Sequence, residues 1–146
     1  MSELTNAIQE FDSTYAEMFA LVEQYPAELR TQSGACGTWS AREVLAHFSG
    51  WLVEVQRRYD GYDAGDSQKV QYDFDEFNAR SVNARTGQSW DEIVSELRGH
   101  VAALIARAQA LPPEKATDKR YWRWLEIMAE DCREHTAGLR TFLEAV

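Results

Sequence analysis

Apolar residues recur along this chain at alternating steps of four and three, which is the spacing of one face of an α-helix. The clearest run lies between Leu4 and Tyr25, and Pro26 ends it. Three later segments show the same alternation, whereas none shows the sustained period of two that a half-buried strand requires. Such stripes are buried when helices pack around a common axis, so the pattern predicts an all-α protein.

Two sequence signals of the same kind mark where long helices begin. Ser40 is followed by Glu43, and Ser89 by Glu92, at the spacing of a capping box. In such a box the serine hydroxyl accepts a hydrogen bond from a free backbone N–H, and the glutamate carboxylate accepts one from the backbone N–H of the serine. We therefore place the starts of the second and third long helices at these two serines.

Glycine and proline predict where the helices end. The second long helix is expected to end at Asp60-Gly61, and the third at Pro112-Pro113. A short helix is expected to begin at Asp73 and to stop at Gly87. The last long helix is predicted to begin near Asp118.

The predicted fold is an up-down-type four-helix bundle, with one short extra helix between the second and third long helices. The only long connection expected is the polar stretch from Gly61 to Gln71. No internal repeat or low-complexity tract interrupts the sequence, so we expect residues 1–146 to form a single domain.

Charge and hydropathy exclude several classes of partner. With 15 Lys and Arg against 24 Asp and Glu, the formal net charge is -9, which opposes binding to nucleic acid or to an anionic membrane. No stretch reaches the roughly 18 apolar residues of a membrane span, and the acidic beginning is unlike a signal peptide. We expect a cytoplasmic protein in which Cys36 and Cys132 are reduced thiols.

The histidines offer the clearest candidate for chemistry. Taken singly, a histidine on an apolar stripe is more often a packed core residue than a ligand. Asp131, however, precedes His135 by four residues, so one helix presents a carboxylate and an imidazole about 6 Å apart at Cβ. His47, on the second helix, would add a third ligand from across the core. Two imidazoles and one carboxylate are the ligand set of catalytic zinc and non-haem iron sites. His100 is expected to lie outside this group.

Other polar and aromatic residues form either the mouth of a pocket or a cover for the end of the bundle. These are Trp51, Tyr59, Tyr72 and Asn78. Cys132 is a further candidate for the pocket, because it is close enough to His135 for a thiolate to interact with the imidazole, although a small buried hydrophobe is its commoner role. The aromatic and cationic cluster 121–124 has the composition of a nucleic-acid stacking platform, but the net charge favours packing and a pocket rim.

Four blocks of sequence carry a family resemblance that spans nearly the whole chain. The most specific is WSAREVLAHFSGW at 39–51, and the weaker ones are FDEFNA at 74–79, SWDE at 89–92, and DCREH at 131–135 before Leu139. They resemble the DinB/YfiT-like superfamily of metal-binding four-helix bundles, most closely its ClbS/DfsB branch.

The resemblance implies a metal site with a departure from the common pattern. Metal-binding members use one histidine of the second helix and two histidines four apart in the last helix. His47 and His135 match the first and third of these positions, whereas Asp131 stands where the middle histidine would be. A divalent metal such as zinc, nickel, iron or manganese is implied, and the carboxylate leaves its identity open.

The same resemblance implies two classes of activity on a small-molecule substrate. One is thiol-linked transfer or isomerisation at a metal centre, with a low-molecular-weight thiol, as in the mycothiol-dependent maleylpyruvate isomerase relatives. The other is hydrolytic or sequestering protection against a reactive molecule or toxin, as in the ClbS-like branch, whose members do not all require a metal. A metal-dependent enzyme and a metal-free binding or detoxifying bundle with the same pocket therefore both stay open. Assembly of two copies of the chain into a homodimer also stays open.

The capping boxes yield the first test. Ser40→Ala and Ser89→Ala should each lower the free energy of unfolding by about 1 kcal/mol, because each leaves a backbone donor at a helix start without its partner. The urea midpoints of the single and double variants measure this cost. An unchanged midpoint in the double variant would show that the helix starts are misassigned.

Overall fold

A computed structural model of the chain describes residues 2–146, and four long helices dominate it. In chain order the helices are α1 (Glu3–Glu23), α2 (Ala41–Asp63), the shorter α3 (Phe74–Asn83), α4 (Trp90–Gln109), the single-turn α5 (Pro113–Ala116) and α6 (Lys119–Ala145). No β-strand occurs within the described residues. The all-α class and the extra helix between the second and third long helices are confirmed.

The four long helices enclose one apolar core. Helix α1 packs mainly against α6 and α4, and α2 likewise packs against α4 and α6, so α1 and α2 lie diagonally across the bundle. Helix α3 packs against α2 on its outer side. Large side chains such as Phe11, Tyr15, Leu52 and Leu104 are fully buried between the helices. No helix in the 2–146 region is long and apolar enough to cross a membrane.

Both predicted capping boxes are confirmed. The backbone N–H of Glu43 donates to Ser40 Oγ at 3.2 Å, and the backbone N–H of Ser40 donates to the Glu43 carboxylate at 3.0 Å. Ser89 and Glu92 exchange the corresponding bonds at 3.1 and 2.9 Å. The predicted start of the last long helix near Asp118 is confirmed, and Asp118 is the N-cap of α6.

The predicted end of α2 at Asp60-Gly61 is wrong, because the helix continues to Asp63. The glycine that takes up the left-handed conformation is Gly65, with φ of 89°, and not Gly61. The N–H of Gly65 donates to the carbonyl of Tyr62, and the next N–H donates to that of Gly61. These two bonds form a Schellman motif, which satisfies the last carbonyls of the helix one turn later than expected.

Two prolines that end predicted helices also begin short ones. Pro26 precedes a 3-10 turn, Ala27–Leu29, and Pro113 is the first residue of α5. A proline at the first position of a helix loses nothing, because its missing N–H would have no partner there. Neither element was predicted from the sequence.

Helix α3 lies unusually close to α2 at Gly50. A Cβ atom placed on Gly50 would meet Ser81 Oγ at 2.0 Å and Ser81 Cβ at 2.4 Å. Only a residue without a side chain fits this contact. Gly50 follows His47 by three residues, and Ser81 follows Asn78 by three, so the close contact sits one turn from the predicted site on both helices.

Asp63, the last residue of α2, joins three other helices at one end of the bundle. Its carboxylate accepts hydrogen bonds from Lys115 of α5 at 2.8 Å, from the Tyr121 hydroxyl of α6 at 2.7 Å and from Arg107 of α4 at 3.0 Å. The hydrogen bonds from Lys115 and Tyr121 lower the pKa of Asp63 to about 2, against a small opposing effect of burial.

Gly50→Ala should destabilise the protein by about 1–3 kcal/mol, because α3 must move away to accommodate the new methyl group. Gly99→Ala is the matched control, since Gly99 lies inside α4 and a Cβ there would meet nothing within 4 Å. That variant should gain about 0.5–1 kcal/mol from the better helix propensity of alanine. Urea unfolding of the two variants should therefore shift in opposite directions; a shift in the same direction contradicts the close contact.

Asp63→Asn should lower the Tm near pH 6, and the difference from the unsubstituted protein should vanish as the pH falls. A carboxylate whose folded-state pKa is depressed stabilises the protein above its unfolded pKa of about 3.9 and loses this effect as the pH approaches the folded value. The window here is from about pH 4 down to about pH 2. Because Asp63 is 38% exposed, screening by salt should reduce the difference. A difference that is independent of pH would contradict this assignment.

Candidate metal centre

His47, Asp131 and His135 meet between α2 and α6. Asp131 lies between the two imidazoles: its Oδ2 is 3.0 Å from His47 Nε2, and its Oδ1 is 3.2 Å from His135 Nδ1. The two imidazole centroids are 5.0 Å apart. His47 is 3% exposed, whereas the side chains of Asp131 and His135 are 28% and 20% exposed. The cluster is therefore buried on the α2 side and accessible from the other.

The electrostatics of the cluster favour an ionised carboxylate. Burial by itself opposes the charge on Asp131, but the hydrogen bonds from His135 and His47 outweigh it and hold the pKa of Asp131 well below its usual range. For His135, burial disfavours the charged form, and the Asp131 carboxylate and backbone carbonyl together outweigh burial and raise its pKa. A negative charge thus lies between two potential ligands.

Asn78 and Trp51 extend the cluster behind His47. Asn78 Oδ1 lies 3.0 Å from His47 Nδ1 and accepts a hydrogen bond from the indole Nε1 of Trp51 at 2.7 Å. Asn78 reaches this position from α3, which Asp73 caps and which the Gly50 contact holds close to α2. The structure therefore places two of the predicted pocket residues, Trp51 and Asn78, beside the predicted ligands.

A cavity of about 350 Å³ opens onto the three ligand candidates. Its walls are mostly aromatic and apolar, and the imidazole, carboxylate and amide groups are confined to one part of the surface. The other lining residues are Trp39, Trp51, Tyr72, Phe74, Trp124, Ile127 and Met128. A site of this kind takes a small molecule with an apolar body and positions it by a few polar contacts.

Two residues predicted for the pocket lie outside it. Tyr59 is fully buried two turns beyond Trp51, and its hydroxyl donates to the Tyr121 carbonyl at 2.7 Å. Cys132 is also fully buried, with its Sγ 3.8 Å from Thr136 Oγ1. Adjacent helical residues differ by about 100° in direction, so Cys132 points into the core while Asp131 faces the cavity. His100 is likewise separate and lies on α4 against Glu96 at 2.8 Å.

Several lining residues were missed, although the sequence carries a signal for two of them. Ile127 and Met128 precede Asp131 at helical spacing and therefore share its face, as Trp124 does. Trp124 belongs to the cluster expected at a pocket rim. Phe74 is 62% exposed and stands at the cavity mouth, with its ring 5.8 Å from that of Trp51.

The donor set fits a divalent metal ion. One ligand atom from each of the three residues can be chosen so that all lie within 4.8 Å of one another. Atoms that share an ion through bonds of about 2 Å lie at most about 4 Å apart, so the side chains are already near this spacing. Two imidazole nitrogens and a carboxylate oxygen suit zinc, iron, nickel and manganese.

The comparison with protein families agrees with this architecture. Residues 11–140 match the family described as the mycothiol maleylpyruvate isomerase N-terminal domain. The chain belongs to this family. The family lies within the DinB/YfiT-like superfamily, so the superfamily predicted from the sequence is confirmed. No curated protein and no solved structure matches the chain.

Proposed function

We propose that this chain is a metal-dependent enzyme that acts on a small reactive molecule with an external thiol as co-reactant. His47, Asp131 and His135 would hold the ion, and the aromatic cavity would hold the substrate. The observation that carries the proposal is the convergence of the three ligand candidates at the polar part of that cavity. The family description, which names a mycothiol maleylpyruvate isomerase, supports thiol-linked isomerisation or transfer as the class of reaction.

A bound divalent ion would supply Lewis acidity, which stabilises negative charge on a substrate oxygen or on a thiolate. The side chains of the site would make the other contributions. Asp131 would lower the net charge of the site, and the two imidazoles would lie on either side of its carboxylate. The rings of Trp39, Trp51 and Trp124 would exclude water from the substrate. Exclusion of water favours transfer and isomerisation over hydrolysis.

The cysteines of the chain support an external source for the thiol. Burial raises the pKa of Cys132 to about 12, and burial with nearby carboxylates raises that of Cys36 to about 11. Neither residue lines the cavity, and Cys36 donates a hydrogen bond to the His135 carbonyl at 3.4 Å. A thiolate is the reactive form, so thiols with raised pKa values are poor nucleophiles. A low-molecular-weight thiol would have to enter the cavity.

A metal-free function is the second candidate, and the contacts of Asp131 favour it. The Asp131 carboxylate already accepts a hydrogen bond from His47 Nε2 at 3.0 Å and lies 3.2 Å from His135 Nδ1, so it has partners without an ion. In that case the chain would be a ClbS/DfsB-like bundle that binds or detoxifies a reactive molecule, with the imidazoles acting as acid–base groups.

Zinc titration distinguishes the two candidates. Zinc at 100 times its Kd should stabilise the tag-free protein by about 2.7 kcal/mol, because the folded state binds the ion and the unfolded chain binds it poorly. For a chain of this size the Tm should rise by about 5–10 °C. The rise should shrink as the pH falls from 8 to 5, because an imidazole nitrogen must be free of its proton to bind the ion.

His47→Ala should abolish the zinc-dependent rise, and His100→Ala is the matched control that should keep it. Both variants lose one imidazole, but His100 lies on α4 outside the cluster. A Tm that ignores zinc and chelators between pH 5 and 8 would reject the metal-dependent enzyme. The metal-free candidate would then predict that Asp131→Asn alters small-molecule binding.

A further inference from the structure

The side-chain amide of Asn78 occupies a position that determines which nitrogen of His47 is free. A neutral imidazole carries a proton on one nitrogen and a lone pair on the other, and only the lone pair binds a metal. The two nitrogens of His47 face different partners: Nδ1 faces Asn78, and Nε2 faces Asp131 and the cavity. The hydrogen bond at Nδ1 therefore controls what Nε2 can do.

Trp51 determines the orientation of the Asn78 amide. The oxygen and nitrogen of an asparagine side chain can exchange places by a rotation of 180°, but an indole N–H is only ever a donor. The atom of Asn78 that lies 2.7 Å from Trp51 Nε1 must therefore be the oxygen. The same oxygen lies 3.0 Å from His47 Nδ1, so that nitrogen must donate and carry the proton.

With Nδ1 committed as a donor to Asn78, Nε2 is the only nitrogen of His47 that can offer a lone pair to a metal ion. Without an ion, Nε2 donates to the ionised Asp131 carboxylate at 3.0 Å, and a binding ion would displace that proton. His135 achieves the same result within its own helix, because its Nδ1 donates to the Asp131 carbonyl four residues earlier, at 2.9 Å. His47 Nδ1 has its acceptor on α3 instead. That acceptor is the side-chain oxygen of Asn78. Gly50 allows α3 to lie close enough to α2 for Asn78 to reach His47.

We propose that Trp51 and Asn78 act as positioning residues that hold His47 with Nε2 as its metal-binding nitrogen. The indole N–H selects the amide orientation, and the amide oxygen then selects the imidazole tautomer. This inference rests on the proposed metal centre, and it adds two residues that do not themselves bind the ion. Such outer partners commonly change metal affinity by 10- to 100-fold.

The first experiment compares substitutions of Asn78 by the Kd for zinc, measured in competition with a chromophoric chelator. Asn78→Leu removes the acceptor and should weaken zinc binding by about 10- to 100-fold. Asn78→Asp keeps an acceptor oxygen for both donors and should retain or strengthen binding. Asn83→Leu, at the exposed end of the same helix, is the matched control and should leave the Kd unchanged.

The second experiment separates hydrogen bonding from packing at Trp51. Trp51→Phe keeps an aromatic ring but removes the N–H, so the Asn78 amide is free to turn and to donate to His47 Nδ1. Zinc binding should weaken by about 10-fold. In the Asn78→Asp background the same substitution should change the Kd by less than about 2-fold, because a carboxylate has no donor side to turn inward. If Asn78→Leu does not fold, the comparison of Trp51→Phe in the two backgrounds still tests the inference.

An NMR measurement adds a signal that a change in packing alone would not alter. In zinc-loaded protein with ¹⁵N-labelled histidine, the NMR spectrum should show His47 with a proton on Nδ1 and the ion on Nε2. Zinc on Nδ1, or an equal loss of affinity for Trp51→Phe in both backgrounds, would overturn the inference. If the unsubstituted protein binds no zinc, the proposed metal centre falls together with the inference; if it binds zinc and Asn78→Leu binds equally well, only the inference falls.

Discussion

A carboxylate placed among packed helices must find hydrogen-bond donors, and Asp131 meets this requirement between α2 and α6. Each of its two oxygens contacts one imidazole, that of His47 on α2 or that of His135 on α6. Those contacts are possible only where α2 and α6 are neighbours, as they are in this bundle. The contacts of Asp131 therefore depend on the packing order of the helices.

Much of this arrangement could be predicted from the sequence because its signals are local. A capping box lies within four residues, and the pair Asp131 and His135 lies within one helical turn, so neither depends on the rest of the fold. The predicted end of α2 was wrong for the opposite reason, because it depends on residues beyond the helix. Gly61 and Gly65 are both plausible stops, and the choice depends on the turn that leads into the following loop, where Gly65 has a positive φ.

The contacts behind His47 depend on tertiary structure and have no comparable signal. Asn78 meets His47 only because α3 folds back onto α2, and the glycine that permits this is recognisable as necessary only when Ser81 is seen against it. Tyr59 shows the converse case. It follows Trp51 along the same helix, yet two turns of helix carry it about 12 Å away along the axis, so closeness in sequence did not mean a shared pocket.

The distribution of tryptophans gives the cavity its own optical reporter. Three of the five, Trp39, Trp51 and Trp124, line its walls, and the Trp39 ring lies 4.8 Å from the His47 imidazole. Indole emission responds to the polarity of the surroundings and to quenchers in contact with the ring. The intrinsic fluorescence of the unmodified chain will therefore be weighted towards this one cavity, and a molecule entering it will change the colour or the intensity of that light without any label.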